Sequence, residues 1–135
     1  MGIWDRWKRR LQPSPGFDLS SYYADGTLLN SVGIETAGGV FTRLIPRGAP
    51  LPASVTEIFT TAEPDMATLQ IRPFQGEDPQ AARNIELGPF EVTQLPPGRA
   101  GGPQIAVTFN VDADGAFSMT ARDLYTGRDL PVLKR

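Results

Sequence analysis

Glycine and proline leave no more than eleven consecutive residues of this chain uninterrupted, and the longest free stretches are 53–63, 104–114 and 116–126. Inside a helix each glycine costs about 1 kcal/mol and each proline about 3 kcal/mol relative to alanine. A bundle needs longer uninterrupted helices than this, and a membrane-spanning helix needs about 20 apolar residues. Both are excluded as the main architecture. The 14 Gly and 13 Pro among 135 residues come to one in five, above ordinary usage near 12% and below the roughly 25–30% that marks disorder. With 40% hydrophobic residues the chain can fill one core, and its length suits one domain.

The hydrophobic pattern between the breakers has period two. Ile105, Val107, Phe109 and Val111 alternate with Gln104, Ala106, Thr108 and Asn110. Asp114-Gly115 supplies a turn and Phe117 and Met119 resume the alternation, so 104–121 reads as a β-hairpin. Leu69 and Ile71 alternate with Thr68, Gln70 and Arg72, and Phe90 and Val92 with Glu91 and Thr93. Gly39–Ile45 and Ser54–Ala62 are rich in Val, Ile, Phe and Thr. The spacing predicts an all-β, antiparallel β-sandwich of about seven to eight short strands. Proline cannot donate to a ladder, so Pro73 and Pro131 are expected at edges, bulges or strand ends.

The first 27 residues differ. Trp4, Trp7 and Leu11 recur at helical spacing among Arg6, Lys8, Arg9 and Arg10, and Pro13 and Pro15 end the pattern. The stretch that follows is rich in turn formers and serine and reads as a tether. The expected organisation is a flexible tail over 1–27, with a short basic and aromatic amphipathic segment, and a β-sandwich over 28–135. Trp4 and Trp7 beside cations suit weak contact with a membrane surface or docking in a partner groove. Met1-Gly2 opens a myristoylation pattern that Arg6 breaks, since Ser or Thr belongs at that position.

Chemistry is constrained by what the composition omits. There is no His and no Cys, which removes the commonest general base, the commonest metal ligand, thiolate metal sites and disulfides. The two Lys lie at opposite ends, Lys8 and Lys134. Asp112, Asp114 and Gly115 have a spacing faintly like a calcium loop, yet lack its further oxygen ligands; a polar hairpin turn is the better reading. Gly38-Gly39 lacks the Gly-Lys-Ser/Thr of a phosphate cradle and reads as a turn or bulge. The expectation is a protein that is not an enzyme and uses no cofactor and no metal. The formal net charge of −2 gives no pull toward nucleic acid. The first eleven residues hold no apolar run long enough for a signal peptide, so a cytoplasmic location is expected.

Gly33-Ile34-Glu35-Thr36, Gly38-Gly39, Leu44-Ile45, Leu51-Pro52, Phe59-Thr60-Thr61-Ala62-Glu63 and Gln75-Gly76-Glu77 follow one another in a fixed order. Leu87-Gly88-Pro89-Phe90, the run 103–115 and the run 121–127 continue it. This succession, over about 28–130, resembles the peptide-binding β-domain of the seventy-kilodalton heat-shock chaperones, the DnaK family. The resemblance implies a channel that holds an extended peptide. Its hydrophobic pocket would be lined by Ile34, Val40, Phe59, Leu69, Ile71 and Ile105, and Ala37 and Ala62 would arch over the peptide. Backbone groups around Thr36, Ala37, Thr60 and Ala62 would hydrogen-bond the ligand, giving sequence-tolerant affinity while the pocket selects a Leu- or Ile-like side chain.

The departures from that pattern concern control rather than binding. The expectation is a chain without the family's ATPase domain and helical lid, with Ser20–Thr27 standing where a Leu-rich linker belongs. Ala37 replaces the usual Met of the arch, Pro64 replaces a polar loop residue that latches the lid in some members, Pro73 replaces an apolar strand residue, and Arg99 is shifted by one position. The reading is a stand-alone, chaperone-like module that binds hydrophobic peptide or unfolded client segments without ATP. The tail can occupy the groove and so drive self-association. The alternative is a structural or adaptor sandwich whose groove is filled by a fixed partner or by its own tail.

Overall fold

A computed structural model describes residues 26–135; the expected amphipathic segment and nearly all of the expected tail lie outside the described residues. Alternating sequence becomes antiparallel ladder almost everywhere. The strands are β1 (Val32–Thr36), β2 (Val40–Ile45), β3 (Ala53–Phe59), β4 (Leu69–Ile71), β5 (Pro73–Gln75), β6 (Ile85–Glu86), β7 (Phe90–Val92), β8 (Ile105–Val111), β9 (Phe117–Asp123), β10 (Asp129–Leu130) and β11 (Val132–Lys134). A single 3-10 turn, Ala81–Arg83, is the described helical element. Three antiparallel sheets result, ordered β2-β1-β5-β6, β10-β9-β8-β3 and β11-β7-β4. The all-β sandwich expectation holds; the strand number exceeds seven or eight because prolines and glycines cut several ladders into pieces of two or three residues.

The hairpin read from alternation is β8 and β9, in register from Ile105 opposite Asp123 to Val111 opposite Phe117. Its inward phase fills the centre of the core: Ile105, Val107 and Phe109 are fully buried and Val111 nearly so. Ile105, Val107 and Phe109 join Ile34, Ile71, Val92, Leu95, Met119, Ala121 and Leu130 in one apolar cluster. Rings chain through it, with Phe109 6.3 Å from Phe59 and 6.5 Å from Phe117, and Phe117 edge-on to Phe90 at 5.9 Å. A second cluster of Leu28, Val32, Ile45, Leu51 and Val111 closes the opposite end. Thr27 bridges Pro50 and the Leu28 amide donates to Ala49, so the sandwich incorporates the chain from this point.

Pro73 opens β5, which lies inside its sheet, and Pro131 sits between β10 and β11. Both occupy places where a missing amide is tolerated. Gly38 and Gly39, at φ +82° and +76°, turn β1 into β2, a backbone conformation that other residues adopt only with strain. Gly33 is needed for a different reason: a Cβ there would lie 2.2 Å from the Thr42 carbonyl oxygen. Asp112 Oδ1 accepts from the amides of Asp114 and Ala116, so the calcium-like spacing builds an Asx turn.

Sheet edges invite further pairing, and each is dealt with differently. β6 and β10 have two residues and β4 and β11 three. The start of β2 is covered by residues 79–81. β3 is long, at seven residues. Its register places Val55 opposite Phe109, Glu57 opposite Val107 and Phe59 opposite Ile105, so Glu57 occupies the inward phase of an edge strand while remaining exposed.

Candidate peptide-binding site

Two loops rise from the same end of the sandwich, because β1–β2 turn over at 37–39 while β3 ends at Phe59, opposite the first residue of β8. Beneath them the strands bring most of the expected pocket together. Ile34, Ile71 and Ile105 are buried in the main cluster, and Phe59 and Leu69 pack against it partly buried. Val40 is the exception. It begins β2, is 48% exposed, and bridges Gln80 rather than entering the cluster. Of the expected arch and backbone positions, Ala37, Thr60 and Ala62 are exposed and Thr36 is half-buried.

The polar side chains at the rim brace the loops themselves. Thr36 Oγ1 donates to the Val40 carbonyl (3.2 Å) and shares a hydrogen bond with Thr42 Oγ1 (2.9 Å) across the hairpin. Thr60 Oγ1 donates to the Pro103 carbonyl at 2.6 Å. Behind the first loop stand residues 79–81: the Phe41 amide donates to Pro79 (2.8 Å) and the Ala81 amide to Gly39 (2.9 Å). Phe41, Phe74 and Ala81 form a small buried apolar cluster at this contact.

Behind the second loop, 60–68, stand residues 96–103. The Asp65 amide donates to the Gly98 carbonyl (2.7 Å), and the Gly98 amide returns a bond to Asp65 Oδ1 (2.9 Å). The Gly101 amide donates to Thr61 and the Leu95 amide to Ala67. On its other side the 96–103 segment borders an open groove of about 420 Å³ lined by Pro96, Pro97, Pro103 and Tyr125 among others. Sequence reasoning missed these bracing residues. Pro96-Pro97-Gly98 announces a loop, and nothing in a periodic pattern says which other loop it meets.

At the base of the first hairpin Glu77 ties β1, β2 and β5 together. It accepts from the Ser31 amide (2.6 Å) and hydroxyl (2.9 Å) and pairs with Arg43 at 3.4 Å. Desolvation pushes its carboxyl upward, but the two bonds from Ser31 with Arg43 and Arg47 outweigh this and hold it below the usual carboxylate range. No three acidic groups converge as a metal site among the described residues.

The sequence profile of the Hsp70 protein family matches residues 24–132. Chaperone protein DnaK of Methanothermobacter thermautotrophicus is 46% identical over 102 residues, which cover 76% of this chain and 17% of that protein. Chaperone protein DnaK of Thermosipho melanesiensis is 46% identical over 99 residues, covering 73% and 17%. The chain thus spans under a fifth of the length of these relatives. The matched region takes in both rim loops and the strands beneath them, and on that match the chain belongs to the Hsp70 family.

Proposed function

We propose that this chain has a chaperone-related role and binds extended apolar segments of unfolded client proteins in a channel between the 36–40 and 59–62 loops, without nucleotide. The observation that carries the reading is the family match across both loops; in this proposal Ile34, Thr36, Ala37, Val40, Phe59, Thr60, Ala62, Leu69, Ile71 and Ile105 take the peptide-contacting roles. The geometry supports it: an apolar floor lies under two exposed loop tips whose backbone groups are available to an extended ligand. Gly38-Gly39 turns the hairpin that forms the first loop. A cytoplasmic setting belongs to the same proposal; no helix among the described residues is long and apolar enough to cross a membrane.

Val40→Phe tests the site. Val40 is half exposed, so the added ring should not overpack the core and the melting temperature should stay within a few degrees. Anisotropy of a labelled Leu-rich peptide should lose its binding signal. A variant that binds as tightly as the parent chain removes Val40, and with it this placement of the channel. Adding ATP and magnesium should leave the peptide affinity unchanged; a shift of tenfold or more would overturn the nucleotide-free reading. Residues 1–25 carry Ile3, Trp4, Leu11, Phe17 and Leu19. Tethered to the same chain at roughly millimolar effective concentration, they are the proposed competitor in self-association.

A further inference from the structure

The 60–68 loop carries two unfavourable features at once. Asp65 sits at φ +54°, in the left-handed region that costs a side-chain-bearing residue free energy, Asp and Asn least. Thr61 is 4% exposed, and its Oγ1 finds no hydrogen-bond partner among the described residues, although a buried hydroxyl normally has one. A loop relaxing freely would shed both. Beside the bonds of Thr60, Thr61 and Ala67 to 95–103, what opposes relaxation at Asp65 is its reciprocal pair with Gly98, whose side-chain half spans 33 residues of sequence. The backbone half needs Asp65 in its left-handed conformation and the side-chain half needs an acceptor at Oδ1.

We infer that Asp65 is a positioning residue: by clamping the 60–68 loop to Gly98 it holds Ala62 over the channel and so sets how long a bound peptide stays. The inference rests on the peptide-binding reading above and adds a residue that reading does not contain. Asp65 is exposed, and water competes for its carboxylate, so the effect is one of loop opening rate rather than of folding. Because Thr61 and Asp65 lie in the same loop, the clamp predicts opposite outcomes for them. Removing the acceptor frees the loop, whereas removing the orphaned hydroxyl makes the clamped position less costly.

The test uses the full chain and a fluorescein-labelled heptapeptide with a central Leu, chased with unlabelled peptide. Asp65→Gly keeps the left-handed backbone and loses the acceptor; dissociation should be about five- to tenfold faster, the worth of one hydrogen bond, at a nearly unchanged melting temperature. Asp65→Asn keeps both features and should stay within about twofold of the parent chain. Thr61→Val should slow dissociation by a few-fold. Amide exchange reads the clamp directly: Gly98 should lose protection in Asp65→Gly and keep it in Asp65→Asn. Equal dissociation rates in the Gly and Asn variants overturn the inference, as does lost Gly98 protection without a rate change. If the parent chain binds no peptide, the peptide-binding reading fails and the clamp is decided by exchange alone, with unchanged Gly98 protection sinking it.

Discussion

The two rim loops are supported by different physics. The first leans on residues 79–81 through backbone hydrogen bonds and a buried contact of Phe41, Phe74 and Ala81. The second leans on 96–103 through the backbone bonds of Asp65 and Thr61 and through the side-chain oxygens of two exposed residues, Asp65 and Thr60. Apolar burial scales with area and does not depend on a single angle, whereas a hydrogen bond open to solvent contributes about 1 kcal/mol and weakens steeply with misalignment. Two loops backed in these two ways make one stiff member and one adjustable member. The stiff member comes from the hairpin that also anchors the sheet, the adjustable one from a long connection between strands of different sheets.

The comparison can be broken most directly at Phe41. Phe41→Ala should cost about 3 kcal/mol in chemical unfolding, the low end for a buried Phe because its cluster is small. A cost under 1 kcal/mol would mean that the first loop is not held by burial. Acid probes the anchor of the same hairpin. Glu77 has a folded pKa below its unfolded one, so its contribution is full above the unfolded value near pH 4.3 and is lost as pH falls through the lower, folded value. Unfolding midpoints measured from pH 6 down to pH 2 should show this loss, and Glu77→Gln should flatten that part of the profile; an unaltered slope would count against the Ser31–Glu77 junction. The smallest effect belongs to the second wall. Thr60→Val should lower stability by about 0.5–1 kcal/mol while raising amide exchange across 60–68 and leaving 36–41 untouched. Exchange rising equally in both loops would erase the distinction between them.

The parts of this structure that were legible in advance are those that repeat. Ile105, Val107, Phe109 and Val111 announce their strand because each second residue meets the core, and Asp114-Gly115 marks where it turns. Pro73 was legible as a strand end because its missing amide is a local fact. The floor residues Ile34, Leu69, Ile71, Phe59 and Ile105 followed from the family resemblance, and the strands do bring them together. The resemblance assigns Val40 a pocket role but says nothing of its exposure, which follows from where β2 begins relative to Gln80. The Asp65–Gly98 pair had no sequence signal at all, since two irregular loops meeting once produce neither periodicity nor a motif.

Glu57 has a consequence for traffic at the surface. An extended apolar chain can in principle lie along any open strand, so a protein that meets such chains risks being zipped up along its flanks or to its own copies. Any strand added beside β3 would have to cover the exposed side chain of Glu57, in register opposite Val107, at a desolvation cost that a single new ladder does not readily offset. With β4, β6, β10 and β11 short and the start of β2 covered, few flanks remain as landing places.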